Sequence, residues 1–210
     1  MGCESSFQLL RRGHYPKGGG TVKVKVTLVL DKLNSINMTE FGEVARIRGV
    51  SHAARLPEHV ALRQAEAAKG TLTKAGYKNV VISNWYRDDQ IDHLGPGSGI
   101  ALCALTTSNA IVGSDALGEK GKPAEKIGSQ AAQKLLGYLN MKCTVDTNLS
   151  DMLIPYMAAA EGESRIVARE LSLHTKTNIA ITQQFLNTTF EVTTKNNLTT
   201  ISCRGIGLSR

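Results

Sequence analysis

Residues 12–22 read RGHYPKGGGTV. Gly18, Gly19 and Gly20 stand just ahead of a run that alternates valine with lysine. Glycine tolerates positive φ and lets the backbone approach a ligand closely. Successive N–H groups in such a turn can hold phosphate oxygens. Arg11, Arg12 and Lys17 add positive charge beside it. No GK[ST] follows, so this is not a Walker loop. A plain flexible turn has the same composition. In the following stretch, 21–30, Val22, Val24 and Val26 share one face and Lys23 and Lys25 the other. That pattern predicts a half-buried strand.

Strand and helix signals alternate outward from this point. Residues 43–53 predict a strand. Residues 57–69 predict a helix, with Pro57 in its first turn and Val60, Ala61, Ala65 and Ala68 along one stripe. Residues 79–85 form a β-rich run, and Gly95-Pro96-Gly97 breaks the chain. Strands are expected at 100–107 and 110–114, joined by a turn near Ser108-Asn109. Ile127, Ala131, Leu135 and Leu139 recur every four residues and predict a helix over 123–139. A further helix is expected over 149–160, capped by Thr147 or Asn148. Pro155 within it argues for a kink or an earlier stop. A strand at 164–173 and a short helix at 178–186 follow. Strands at 188–194 and 199–204 flank Lys195-Asn196-Asn197 and predict a closing hairpin. The total is mixed α/β, with helices packed on sheets and no repeat of fixed period.

The chain has 210 residues, 41% hydrophobic and 20% charged, with a mean hydropathy of −0.14. Those values fit a folded protein and exclude a mainly disordered one. No apolar run approaches the roughly 20 residues a membrane helix needs. Net charge is 25 − 18 = +7 and the pI is about 9.3. Residues 1–30 carry five basic groups against Glu4, and so hold more than half of the excess. A basic patch of this kind suits a polyanion such as RNA or a nucleotide phosphate, and equally a solvated edge. Cys3, Cys103, Cys143 and Cys203 lie far apart, with no CxxC pair. They read as free buried thiols of a reducing compartment, the cytoplasm or a eukaryotic nucleus.

Two further places could carry chemistry. His174 stands where a strand is expected to give way to a helix. A neutral imidazole is a competent nitrogen nucleophile, and Thr175, Thr177 or Asn178 could orient the ring. Asp151, near an expected helix start, complements the helix dipole or contacts a nucleotide or a metal-bound phosphate, helped by free first-turn N–H groups. His14, His52, His59 and His93 show no ligand spacing and read as surface or packing residues. Asp88, Asp89 and Asp92 form an acidic turn that could hold a hard cation.

Taken together, RGHYPKGGGTV and the segments around the candidate residues resemble the RNA 3′-terminal phosphate cyclases. Gly97-Ser-Gly99-Ile, Gly118-Glu-Lys, the Leu149-Ser-Asp151 helix start followed by Pro155, and His174-Thr-x-Thr-Asn178-Ile fall in the family's order. The resemblance spans essentially the whole chain. It implies an α/β fold of βαβαββ units, related to the enolpyruvyl transferases, interrupted by a small α/β insert. The insert would be residues 49–141, and the core would be 1–48 plus 142–210. It also implies ATP-dependent closure of an RNA 3′-phosphate to a 2′,3′-cyclic phosphate through an adenylyl-histidine, with Mg²⁺ or Mn²⁺ assisting. His174 matches the nucleophile. Asn148, Leu149, Ser150, Asp151 and Met152 match the nucleotide-binding segment. Arg12, Lys17, Gly18, Gly19 and Gly20 would serve RNA or phosphate binding. The resemblance assigns no metal ligands.

Family members carry a long N-terminal half with two further repeats ahead of the glycine signature. The chain is therefore expected to be a C-terminal portion, with that missing half as a partner and an apolar face uncovered. The alternatives are an inactive fragment and a non-catalytic cyclase-like RNA-binding or ribosome-assembly protein. The latter branch lacks the nucleophilic histidine that this chain keeps.

Overall fold

Glycine and asparagine turns punctuate valine- and threonine-rich runs along the chain, and the runs become strands of three separate sheets. These are seen in a computed structural model that describes residues 1–27, 31–87 and 93–209. The acidic turn Asp88, Asp89 and Asp92, and the end of the strand expected over 21–30, lie outside the described residues.

The first sheet is the antiparallel hairpin of β1 (Ser5–Arg11) and β2 (Thr21–Val26), joined by the glycine stretch. The second is built from β3 (Asn37–Met38), β8 (Glu161–Ala168), β9 (Phe190–Lys195) and β10 (Leu198–Ile206), in the order β3-β8-β10-β9. β3 runs parallel to β8, and the other pairs are antiparallel. The third is built from β4 (Val44–Ala54), β5 (Val80–Arg87), β6 (Gly97–Thr106) and β7 (Ile111–Leu117), in the order β5-β4-β6-β7. The helices are α1 (His59–Lys74), α2 (Ala124–Met141), α3 (Thr147–Ala159) and α4 (Leu173–Phe185). With β4 to α2 set aside, the order is β3-α3-β8-α4-β9-β10, a βαβαββ unit interrupted once. The mixed α/β class and this unit agree with the expectation.

The four-residue recurrence in α2 buries Ile127, Ala131, Leu135 and Leu139 against Ile47, Ile100 and Val112 of the third sheet. Each fully buried isoleucine or leucine among them contributes about 1.5–3 kcal/mol. α1 lies on the same face of the sheet. A Cβ at Gly128 would fall 2.0 Å from the Gln64 carbonyl oxygen of α1, so only glycine permits this crossing. A second core gathers Ile154, Met157, Ile166 and Ile201 between α3 and the second sheet. Asn196 and Asn197, at φ 52° and 61°, make the tight turn between β9 and β10, as primed hairpin turns require.

Several elements differ from expectation. β2 buries neither face: Val22, Val24 and Val26 are 51, 56 and 63% exposed. Its alternation is real, but no layer packs on the two-stranded sheet. β1 had no alternation to announce it. α4 begins at Leu173, because Ser172 caps it by accepting from the Thr175 N–H at 3.0 Å. β8 runs from Glu161 and ends at Ala168. Cys143 and Cys203 are buried as expected, whereas Cys3 and Cys103 are exposed. Cys103 lies on the open face of the third sheet.

Gly128→Ala tests the helix crossing. It should lose about 1–3 kcal/mol through backbone displacement, despite alanine's better helix propensity. A Cβ at Gly70 in α1 meets nothing within 4 Å, so Gly70→Ala should gain up to about 1 kcal/mol. Urea midpoints of the two variants should therefore move in opposite directions.

Candidate functional site

α3 begins at a carboxylate. Asp146 Oδ1 accepts from the N–H groups of Asn148 and Leu149, at 3.0 and 2.9 Å. Such a cap is worth about 1 kcal/mol. Its Oδ2 accepts from the Gly113 N–H of β7 at 2.9 Å, so the same side chain ties α3 to the third sheet. The cap is Asp146 rather than Thr147 or Asn148, since its carboxylate reaches both first-turn donors. Those two donors are consequently engaged.

Pro155 sits inside α3 without ending it. Proline has no N–H for the carbonyl four residues back, which here is that of Asp151. Asn178 of α4 fills the gap: its Nδ2 donates to the Asp151 carbonyl at 3.3 Å and also to Asp151 Oδ1. The proline thus opens an acceptor on α3, and α4 docks through it.

His174 lies one turn ahead of Asn178 on the same side of α4. Its imidazole is exposed and makes no hydrogen bond among the described residues. Neither expected orienting threonine holds the ring. Thr175 Oγ1 pairs with Ser172 Oγ, and Thr177 Oγ1 donates to the Leu173 carbonyl. Asn178 is taken by Asp151. Ser172 serves the Thr175 N–H, leaving the Leu173 and His174 N–H groups without helical acceptors at the positive end of α4.

The five expected nucleotide residues divide. Asn148 and Met152 are exposed, and Asp151 is half-buried. Leu149 packs against the second core. Ser150 is buried, with its hydroxyl donating to the Thr147 carbonyl at 2.8 Å. A cleft of about 490 Å³ near α4 is lined by Arg169, Glu170 and Lys176. Lys176 is two residues from His174 and so faces nearly the opposite side of the helix.

The glycine stretch lies elsewhere, against the third sheet. Gly18 and Gly19 take φ of 65° and 75°. The turn is tied to itself: the Gly18 N–H donates to the His14 carbonyl at 2.8 Å, and Arg11 Nε donates to the Gly19 carbonyl. His14 stacks on His52 of β4, with ring centroids 5.5 Å apart and Nε2 atoms at 3.3 Å. A Cβ at Gly97 would strike the His14 ring at 2.1 Å. The Arg12 guanidinium lies 5.0 Å over the Trp85 ring of β5. Arg55 donates to the carbonyls of His93 and Leu94, holding that segment against the turn. No hydrogen bond or ion pair among the described residues joins Arg12, Lys17, Gly18, Gly19 or Gly20 to α3 or α4.

His52 and Trp85 were missed as partners of the glycine stretch. They are adjacent across the parallel β4–β5 pair, and that adjacency has no signature along the chain. Burial, then the nearby Arg12 and His14, hold the His52 imidazole down at about 3. Burial, then Arg12 and His93, lower that of His14. No cluster of three metal-ligand side chains occurs among the described residues, and no helix among them is long and apolar enough to cross a membrane.

Residues 39–140 match the family described as RNA 3′-terminal phosphate cyclase (RTC), insert domain. The whole chain is 45% identical over 210 residues to a protein of Caldivirga maquilingensis named RNA 3′-terminal phosphate cyclase. It is 44% identical over 210 residues to one so named from Pyrobaculum aerophilum. It covers 59% of the length of each of these two relatives. A third so named, from Ignicoccus hospitalis, is 44% identical over 187 residues, which is 89% of this chain and 52% of the relative.

Asn178→Ala should cost about 1–3 kcal/mol, because it strands the Asp151 carbonyl and one carboxylate oxygen. Pro155→Ala restores an N–H for that carbonyl. The Asn178→Ala penalty, read from urea unfolding, should therefore shrink in the Pro155→Ala background.

His52 and His14 both have folded pKa values below the ordinary 6.5 or so of the unfolded chain. The unfolded state then binds more protons as pH falls through that range. Their contribution to stability is complete above pH 6.5 and is lost as pH drops from there toward 3. The slope from His52 is at most about 1.4 kcal/mol per pH unit. His52→Gln should flatten the dependence of the urea midpoint between pH 7 and 5.

Proposed function

Because the chain belongs to the RNA 3′-terminal phosphate cyclase family, we propose that it supplies the nucleophile for ATP-dependent closure of an RNA 3′-phosphate to a 2′,3′-cyclic phosphate. The observation that carries this reading is His174. Its imidazole is exposed and unengaged, set on a helix whose seat is fixed by the Asn178–Asp151 contact.

An imidazole nitrogen of His174 attacks the α-phosphorus of ATP. A P–N bond forms as the bond to pyrophosphate breaks. A terminal oxygen of the RNA 3′-phosphate then attacks the same phosphorus, taking AMP and returning the histidine. The neighbouring 2′-hydroxyl attacks the RNA phosphorus, gives up its proton to solvent, and expels AMP. Splitting the reaction in this way turns a phosphomonoester oxygen into a good leaving group. A Mg²⁺ or Mn²⁺ ion carried in by the nucleotide would offset phosphate charge.

The unpaired N–H groups of the first turn of α4 suit a phosphate oxygen. Asn178 occupies Asp151 Oδ1, which leaves Oδ2 to accept from a nucleotide hydroxyl or amine. Met152 and Tyr156, one turn apart and both exposed, offer an apolar surface to a purine. Ser150 and Leu149 act from behind, by packing. Arg12 and Lys17 serve RNA phosphates, and Gly18, Gly19 and Gly20 shape the turn that presents them.

We assign the core to residues 1–48 plus 142–210 and the insert to 49–141. The start of β4 at Val44 and the family match from residue 39 favour an insert start several residues earlier. The exposed valines of β2 and the exposed Ile181 and Phe185 of α4 fit a partner surface from the remainder of such an enzyme. A non-catalytic RNA-binding protein is the competing reading, and His174 weighs against it.

The chain incubated with α-labelled ATP and Mg²⁺ should acquire an acid-labile, alkali-stable label. His174→Ala, checked for folding by circular dichroism, should abolish it. Label that survives the substitution would remove His174 from the role of nucleophile. Absence of label on the folded wild type would favour the non-catalytic reading.

A further inference from the structure

Resting on the RNA reading but independent of His174, we infer that the cleft between the glycine hairpin and the third sheet, with the open face of that sheet, binds the internal phosphates of a single RNA strand. The cleft has a volume of about 400 Å³, and Arg11, Arg12, Trp85 and Arg87 line it.

Arg12 is the central group. Its plane is held over Trp85, and its Nε is shielded from solvent with no acceptor among the described residues. Burial lowers its pKa, as loss of hydration does for a cation. A desolvated guanidinium with free donors is costly unless an anion meets it. Arg11 is not available in the same way, since it spends its donors on the Gly19 carbonyl and the Thr21 hydroxyl. Arg87, exposed at the end of β5, supplies a second cation on the cleft wall.

The cleft opens onto a flat face. α1 and α2 both cover the side of the third sheet that bears Ile47 and Ser51. The alternation of β4 therefore sends Arg46, Arg48 and Val50 to the uncovered side, in line with His52. Cross-strand register places Cys103, Ala101 and Gly99 of β6 beside Arg48, Val50 and His52. Such small side chains leave the surface level. The Asp115 carboxylate of β7 is engaged by Lys134 at 3.0 Å, which removes its negative charge from the balance. Val50, Val81, Ile111 and Leu117 are also exposed on this face, and the arginines with one aromatic match the chemistry of single-strand binding. The clustered arginines, with the Asp115 carboxylate already paired, favour a polyanion over a protein partner. The insert would thus hold the body of the strand while its terminus reaches the core.

Trp85 is the chain's single tryptophan, so its emission reports on this cleft alone. The full chain is titrated with a short oligoribonucleotide ending in a 3′-hydroxyl and with the same oligomer ending in a 3′-phosphate. Both should quench Trp85 with similar Kd, because internal phosphates are read. Arg87→Gln should raise Kd roughly 3- to 10-fold at low salt and reduce the slope of log K against log salt by about 0.7. Arg12→Lys should weaken binding while keeping the slope, since charge is retained and the planar fork is lost. Quenching by the 3′-phosphorylated oligomer alone, no quenching at all, or wild-type affinity in Arg87→Gln would each overturn the inference. The ATP label on His174 is scored in parallel. Label without quenching removes the cleft and leaves the catalytic reading standing. Quenching without label does the reverse.

Discussion

One carboxylate sets the geometry on which the candidate site depends. Asp146 caps α3 with one oxygen and holds the β7 backbone with the other. Without it the helix start would fray, and the interrupted βαβαββ unit would lose a tie to the sheet inserted within it. Because α3 starts where it does, Asp151 falls one turn into the helix and Pro155 one turn later. The carbonyl that proline leaves unserved is then the one that faces α4. Asn178 takes it, and with that bond the position of His174 follows from the 3.6-residue turn. Each step is local, and each constrains the next.

Much of this was legible along the chain. α2 announced itself through its four-residue apolar recurrence, and the closing hairpin through Asn196-Asn197. The start of α4 was misplaced because Thr175, Thr177 and Ile179 lower local helix propensity. The cap that overrides them is a single hydroxyl on Ser172. Pro155 argued for a break on backbone grounds alone. Its accommodation depends on a side chain 23 residues later, and no local rule reaches that far. His174 and Asp151 were identified through the ordered motifs. The bond that links them through Asn178 is a tertiary fact.

The open surfaces explain the other misreading. Burial was inferred for β2 from alternation, yet alternation states only which residues share a face. It does not say that anything covers that face. A two-stranded sheet supports little by itself. Here its loop is held by rings, His14 on His52 and Arg12 on Trp85, rather than by a layer on its strands. The hairpin is thus anchored at its turn and exposed along its length.

The glycines have a structural task beside the one their composition suggests. The Gly18 N–H is spent on the His14 carbonyl. Glycine also provides room: positive φ to close the turn, and at Gly97 a gap that the His14 ring fills. The turn is a clasp, and its output is the pose of Arg12. Charge and curvature were both visible in RGHYPKGGGTV. Which of them faces the ligand depends on the surface against which the turn closes, and that surface, β4 and β5, begins 22 residues beyond Val22.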